Sequence, residues 1–284
     1  MIDVLLDALI DSLKVLGVTF ILYIILSFFE DKLVDVLKKH KKTSPILGSA
    51  IGLIPQCGIS VVASDLYLKE HITMGTIFAV FFACSDEALP ILFASGEKAL
   101  YAIPLLILKF ILGFTFGYLI DLFIKKELVQ EELEDVHVGC CHHEIDHEES
   151  KIKEHLLHPL IHSLKIFAYV LIVNIIFGTI VFLVGEDNIL TFLNQATYVT
   201  PIVASMVGLI PNCASSVLLT ELFTLGGLPF GALFTGLCCN AGLGLIYMLK
   251  RRKNWKDILL IIGLLLLTSI ISGYAIIGTM NLIG

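Results

Sequence analysis

The sequence predicts an all-α polytopic membrane protein built from two inverted-topology repeats, each with three crossing helices and a re-entrant, proline-broken helical hairpin. Three observations predict it. The 284 residues are 57% hydrophobic and only 16% charged, with a mean hydropathy of +0.91, against ~25% charged residues in soluble domains. The apolar residues fall into long runs near the ~20 residues that a membrane span needs. A block of the first half also returns in the second, with the basic loops on the opposite side.

The apolar runs are 13–29, 46–68, 72–93 and 100–124 in the first half, and 160–184, 200–223, 228–249 and 258–283 in the second. They read as helices, because lipid offers no partner to an unpaired backbone group. They are solidly apolar without alternation, which excludes a barrel. The first run is expected to be a span and not a cleaved signal peptide. Five of the seven cysteines (Cys57, Cys84, Cys213, Cys238, Cys239) sit inside apolar runs and two (Cys140, Cys141) are adjacent. That layout is not a secreted disulfide scaffold.

The repeat is visible residue by residue. Residues 5–14 match 156–165, and Gly-Leu-Ile-Pro-Gln-Cys at 52–57 matches Gly-Leu-Ile-Pro-Asn-Cys at 208–213. Ser60 then matches Ser216, Asp65 matches Glu221 and Gly75 matches Gly231. The chain divides accordingly into a first membrane repeat at 1–128, a linker at 129–153 and a second, inverted repeat at 154–284.

Orientation follows from the positive-inside rule. Lys32, Lys38, Lys39, Lys41 and Lys42 follow the first run, whereas the equivalent loop at 185–196 carries Glu186 and Asp187 without Lys or Arg. Lys250, Arg251, Arg252, Lys253 and Lys256 mark the last loop, whose counterpart holds only Lys98. The halves are therefore inverted, and the number of crossings between Glu186 and Arg251 must be odd. One of the two apolar runs there must enter and leave on one side. Proline removes a helical donor and glycine loosens the helix, so 46–68 and 202–223 are the expected hairpins, with Pro-x-Cys at each tip. Each half then crosses three times; scoring every half-helix separately gives ten segments. Both termini are expected outside and the linker in the cytoplasm of a plasma-membrane protein. Lys14 and Lys98 alone fall at the outer face, while Lys109 and Lys165 lie within or near spans.

Inverted repeats with helices broken at mid-membrane are the pattern of secondary transporters, where freed carbonyls and amides coordinate ions. The candidate substrate or ion site therefore comprises Pro55, Gln56, Cys57 and Ser60 at one tip and Pro211, Asn212, Cys213 and Ser216 at the other, with Ser215 beside them. Intramembrane ionisable residues are rare and usually functional, which adds Asp65, Glu221, Asp86 and Glu87. Small polar residues at helix contacts, and carboxylates near a hairpin end that reaches water, are the structural alternatives. Asp86 and Glu87 follow Cys84 and precede Pro90, at an expected second helix break, but their counterparts are Gly242 and Leu243. Asn240 answers Cys84. That asymmetry suggests one ion site or one proton-accepting carboxyl. Thiolates select soft metals and carboxylates suit hard ones; both are present, so the metal stays open.

The acidic linker offers His137, Cys140, Cys141, His142, His143 and His147 as candidate metal ligands. A closed zinc finger is not expected without Cys-x-x-Cys, and a solvated tether is the plain alternative.

The paired Gly-Leu-Ile-Pro-x-Cys blocks, the His-rich linker and the hydropathy pattern resemble the ten-segment (10TM) heavy-metal exporter family, whose members are labelled arsenic efflux proteins or manganese transporters. The resemblance covers most of the chain. It implies export of a toxic or surplus metal species, with Pro55, Cys57, Pro211 and Cys213 as the shared core.

The leading expectation is secondary-active export of a heavy-metal species, a divalent transition metal such as manganese or else arsenite. Alternating access with proton coupling through Asp86 or Glu87 is the expected mechanism. No phosphate-binding loop occurs, no cofactor is expected, and the chain is not read as an enzyme. An intramembrane lipid-phosphate enzyme would want an arginine clamp, and the only arginines are Arg251 and Arg252 in a loop. An organic-solute or anion carrier fits the architecture but leaves the linker unexplained. The expected partners are membrane lipid and a metal-ion substrate, with a homodimer left open and no nucleic acid.

Overall fold

The computed structural model describes residues 44–55, 57–84, 88–124, 198–211, 213–251 and 255–283, with isolated helical positions between 9 and 24 and between 160 and 179. The regular structure of the described residues is all helix, with no strand among them. In the first half the helices are α1 (Ser44–Gly52), α2 (Cys57–Leu68), α3 (Met74–Ala83), α4 (Ala88–Ala94), a 3-10 segment (Gly96–Tyr101) and α5 (Ala102–Phe123). In the second they are α6 (Thr200–Gly208), α7 (Cys213–Thr224), α8 (Phe230–Cys239), α9 (Gly242–Arg251) and α10 (Trp255–Ile283).

The bounds of α1, α2 and α3 recur in α6, α7 and α8 after 156 residues (200 − 44 = 156), at both ends of every helix. The same sequence signals act in both halves. Each Gly-Leu-Ile-Pro stretch stops a nine-residue helix, and Cys57 or Cys213 opens the next one. Each second helix closes on a left-handed residue. Glu70 (φ 63°) takes that place in the first half and Gly226 (φ 78°) in the second. The following amides return to the helix, from His71 to Leu66 O at 2.8 Å and from Gly227 to Leu222 O at 2.7 Å.

Four stretches are long and apolar enough to cross a membrane: Met74–Ala94, Gly96–Phe123, Phe230–Leu249 and Trp255–Leu282. The first and third are 87% and 78% buried within the protein, the second and fourth only 28% and 39%. The division has a physical reason. The first and third are interrupted, and broken backbone at membrane depth is tolerated only where protein surrounds it. The long α5 and α10 instead expose Ile103, Ile107, Ile111, Leu259, Leu267 and Ile271, an apolar face suited to lipid.

Close backbone approach holds each half together. The hydrogen at Gly75 leaves room for the carbonyl of Gly117, and at Gly231 for that of Gly273, positions again 156 apart. The halves also exchange partners. Helix α2 packs on α9 of the second half, and α7 on α4 of the first. At the second junction Tyr101, Phe223 and Phe230 form an aromatic cluster with ring centroids 5.2–6.0 Å apart. At the centre α3 meets α8, where Phe82 and Phe234 pack edge to face at 6.2 Å.

Candidate functional site

Two interrupted helices end side by side in the core. Helix α3 stops at Ala83, and Cys84 turns the chain out of the helix (φ −53°, ψ 125°). Helix α8 stops at Cys239, with Asn240 extended (φ −79°, ψ 95°). Asn240 then restarts the chain. Its Oδ1 accepts the Gly242 amide at 3.0 Å, and Gly242 takes a left-handed φ of 58° that glycine adopts at little cost. The last carbonyls of a helix lack intrahelical partners and carry the negative end of its dipole. Two such ends converge here.

Lys109 occupies the point of convergence. It lies on α5 and is fully buried. Its Nζ donates to the carbonyl of Cys84 at the end of α3 and, at 3.1 Å, to the carbonyl of Leu237 in the last turn of α8. One ammonium thus caps helices from both halves. Burying a lone ammonium costs several kcal/mol. Charge-assisted bonds of ~1.5–3 kcal/mol each and the two negative helix ends offset that cost. The equivalent position in the second half is Leu265, also fully buried. The site is therefore built asymmetrically on a symmetric scaffold.

Helix α5 also serves the far end of α3. Asp121 Oδ1 accepts the Gly75 amide at 2.7 Å, and Asp121 Oδ2 accepts the Thr73 hydroxyl at 2.6 Å. Thr73 is itself the N-cap, its hydroxyl accepting the Thr76 amide. The short α3 is held between a carboxylate at its positive end and an ammonium at its negative end, both complementary to its dipole. In the second half Leu265 and Ile277 stand in their places.

Thiols flank the ends of both interrupted helices. Cys84, Cys238 and Cys239 are buried. Cys239 Sγ is 2.7 Å from Ser269 Oγ and directs its proton toward the Leu265 carbonyl at 3.8 Å. No group of three His, Cys, Asp or Glu side chains among the described residues is placed to hold a metal.

The other expected residues fall in two places. Ser60, Asp65 and Ser216, with Glu221, are buried on α2 and α7. Ser60 and Asp65 join the halves: Ser60 Oγ accepts the Gly244 amide at 3.2 Å, and Asp65 Oδ1 accepts the Tyr247 hydroxyl at 2.7 Å. Asp65 Oδ2 pairs with Lys69 at 2.9 Å. Glu221 Oε2 accepts from Thr224 at 3.3 Å. Pro55 is buried and Pro211 half-buried, each just before its second helix. Cys57 and Cys213 open α2 and α7, but their side chains, and the whole of Gln56, Asp86, Glu87 and Asn212, lie outside the described residues. So do the linker positions His137, Cys140, Cys141, His142, His143 and His147.

Sequence reasoning missed Lys109, Asp121 and Tyr247 as members of this arrangement. For Lys109 a signal existed: it is the single charge in 99–120, and its repeat counterpart is leucine. Nothing local distinguishes Asp121 or Tyr247, whose partners lie 46 and 182 residues away.

A family model described as "Putative, 10TM heavy-metal exporter" matches residues 1–164 and 164–281. No curated protein and no solved structure matches the chain.

Proposed function

We propose, from the premise that this chain belongs to the ten-segment heavy-metal exporter family, that it is a secondary-active exporter working by alternating access. A membrane transporter of this kind needs a site shielded from both sides and reachable from each. The observation that carries the reading is the convergence of the interrupted α3 and α8 on one buried point between the two halves. Broken helices whose carbonyls face a protein-lined interior are what ion-coupled carriers use to bind their cargo.

In this reading the two halves are inverted repeats, spanning 1–128 and 154–284, and the stretches 46–68 and 202–223 are re-entrant hairpins. Their Pro-x-Cys tips approach the broken helices. Cys57, Cys213, Gln56, Asn212 and Cys84 supply soft and neutral ligands, Asn240 holds the second break open, and Asp86 or Glu87 exchanges the proton that drives export. Ser60, Ser216, Asp65 and Glu221 hold the hairpins against the opposite half. The linker, with His142, His143 and His147, collects metal on the cytoplasmic side of the plasma membrane, and both termini lie outside. The cargo is a divalent transition metal such as manganese, or arsenite.

The test is metal sensitivity in a sensitive host. Growth and cell content are compared for Mn²⁺, Zn²⁺, Co²⁺, Cd²⁺ and arsenite, with the wild type beside a Cys57→Ala, Cys213→Ala double variant. The reading expects one species to be tolerated better and to accumulate less, and the double variant to lose that protection. Protection that survives in the double variant moves the site to Asp86 and Glu87. The buried ammonium favours a second reading, an anion carrier, because it attracts negative cargo. In that case no metal level changes despite good expression.

A further inference from the structure

We propose that the two seams between the halves are the gates of the carrier: α2 against α9 closes the way to the cytoplasm with hydrogen bonds, and α7 against α4 closes the way outside with packed aromatic rings. The inference rests on the export reading above and goes beyond it, because it assigns the parts that open.

Placement carries the first step. The seam of α2 on α9 starts beside the break that follows α8. Gly244, two residues past the left-handed Gly242, donates its amide to Ser60 Oγ at 3.2 Å, and Ser64 Oγ donates to the Gly244 carbonyl at 3.0 Å. A methyl group at Gly244 would run into the Ser60 carbonyl, so the two backbones touch there. About two turns further along α2, roughly 10 Å away, the Tyr67 hydroxyl donates to Asp257 Oδ2 at 3.0 Å. On the same seam the Tyr247 hydroxyl donates to Asp65 Oδ1 at 2.7 Å. In sequence this end is flanked by Lys69, Lys250, Arg251 and Lys256, which makes it the cytoplasmic face by the positive-inside rule. The seam thus runs from a helix break to one surface.

The repeat supplies the other seam. A step of 156 residues takes Tyr67 to Phe223, and the reverse step takes Asp257 to Tyr101, Tyr247 to Ile91 and Gly244 to Ala88. Helix α4 follows the break at Cys84 as α9 follows the break at Asn240. The Tyr67–Asp257 bond has its counterpart in the contact of Phe223 with Tyr101, whose ring centroids are 5.2 Å apart, and Phe230 completes the cluster at 5.4 Å from Tyr101. The Lys98 ammonium lies 5.6 Å from the Tyr101 ring and 5.3 Å from the Phe223 ring, and it marks the opposite, outer face. Ring packing and a cation over the rings hold this seam where hydroxyls and carboxylates hold the first.

An inverted-repeat carrier alternates by opening one of two equivalent seams while the other stays shut. Both seams are packed in this structure, and Cys84, Cys238 and Cys239 at the broken ends are buried. Equivalent positions with unlike chemistry make the two gates separable. Removing tyrosine hydroxyls weakens the first seam and leaves the rings of the second in place. A seam that only glues the halves together behaves differently, because loosening it admits nothing from one side in particular.

The experiment uses the full chain in right-side-out and inverted membrane vesicles of the expression host, which present opposite faces. The probe is a charged methanethiosulfonate that does not cross the bilayer. Mass spectrometry reads its attachment to Cys84, Cys238 and Cys239, peptide by peptide. The double variant Tyr67→Phe, Tyr247→Phe is expected to speed attachment from the cytoplasmic face about tenfold or more, the order of one hydrogen bond to a carboxylate, and to leave attachment from the outer face unchanged or slower. The double variant Tyr101→Leu, Phe223→Leu is expected to do the reverse. If the tyrosine pair does not give monodisperse protein, Tyr67→Phe alone carries the same expectation. Unchanged rates in both double variants overturn the gates, and so does an equal rise from both faces, which is general loosening. A rise confined to the wrong face overturns the assignment of each seam to its side. Metal flux by the wild type is measured in parallel. If none of Mn²⁺, Zn²⁺, Co²⁺, Cd²⁺ and arsenite moves while labelling is sided as expected, metal export fails and the gates stand.

Discussion

The Lys109 ammonium lies 3.1 Å from the carbonyl oxygen of Leu237, joining residues 128 apart in sequence and on opposite halves of the chain. Through its second bond, to the Cys84 carbonyl, it ties the ends of two interrupted helices to a third, continuous one. The position tolerates shape but not emptiness. Either neutral variant loses the hydrogen bonds of the ammonium, and truncation adds a cavity to that loss. Lys109→Leu is expected to shift thermal stability in detergent by no more than about 2 kcal/mol, and Lys109→Ala to cost about 2–5 kcal/mol. Equal loss in both variants, read from thermal unfolding of purified protein, would contradict this.

Asp121 and Thr73 cap α3 as a unit. Removing a cap costs about 0.5–2 kcal/mol, and here the carboxylate also receives the Gly75 amide. Asp121→Ala and Thr73→Ala are each expected to lower stability by that order, and residues in one network couple by ~0.5–3 kcal/mol. A double-variant cycle with additive losses would show that the two act separately.

The glycine contacts make a sharper contrast. A methyl group at Gly75 would run into the Gly117 carbonyl, and one at Gly231 would lie 2.7 Å from that of Gly273. Gly263, on the same long α10, has open space around it. Overpacking costs typically ~1–3 kcal/mol, whereas alanine in an open helical position gains up to ~1 kcal/mol over glycine. Gly75→Ala and Gly231→Ala are therefore expected to destabilise, and Gly263→Ala to be neutral or stabilising. The order of the three melting temperatures checks the assignment.

Glu70 and Gly226 close equivalent turns in the same left-handed conformation. An L side chain there costs about 1–2 kcal/mol, so Glu70→Gly is expected to stabilise the protein by about 1 kcal/mol. A lowered melting temperature would mean that the Glu70 side chain contributes more than its backbone strain removes.

Much of the scaffold was legible before any coordinates, and the reason is local. Proline and glycine at 52–55 and 208–211 stop helices wherever they occur, and the 156-residue register carried over to the helix bounds without adjustment. The interruption near Cys84 was also signalled, by carboxylates and proline; at Asn240 the sequence offered only its equivalence to Cys84. What stayed hidden is what depends on packing across the repeat. Asp65 and Glu221 could equally have faced water, and it is the packing of α2 and α7 among their neighbours that buries them. Lys109 was scored for its charge in the topology, where one lysine among nineteen basic residues decides nothing. Its role emerges once α3 and α8 are seen to end on the same point.

Flux of metal through the reconstituted wild-type protein tests the central claim most directly. Vesicles loaded with each of the five species are compared with protein-free vesicles, with and without an imposed proton gradient and with an uncoupler. The account predicts protein-dependent movement of one heavy-metal species that the gradient accelerates and the uncoupler slows. Movement indifferent to the uncoupler would contradict proton coupling, and no protein-dependent movement of any of the five would contradict export of metal altogether.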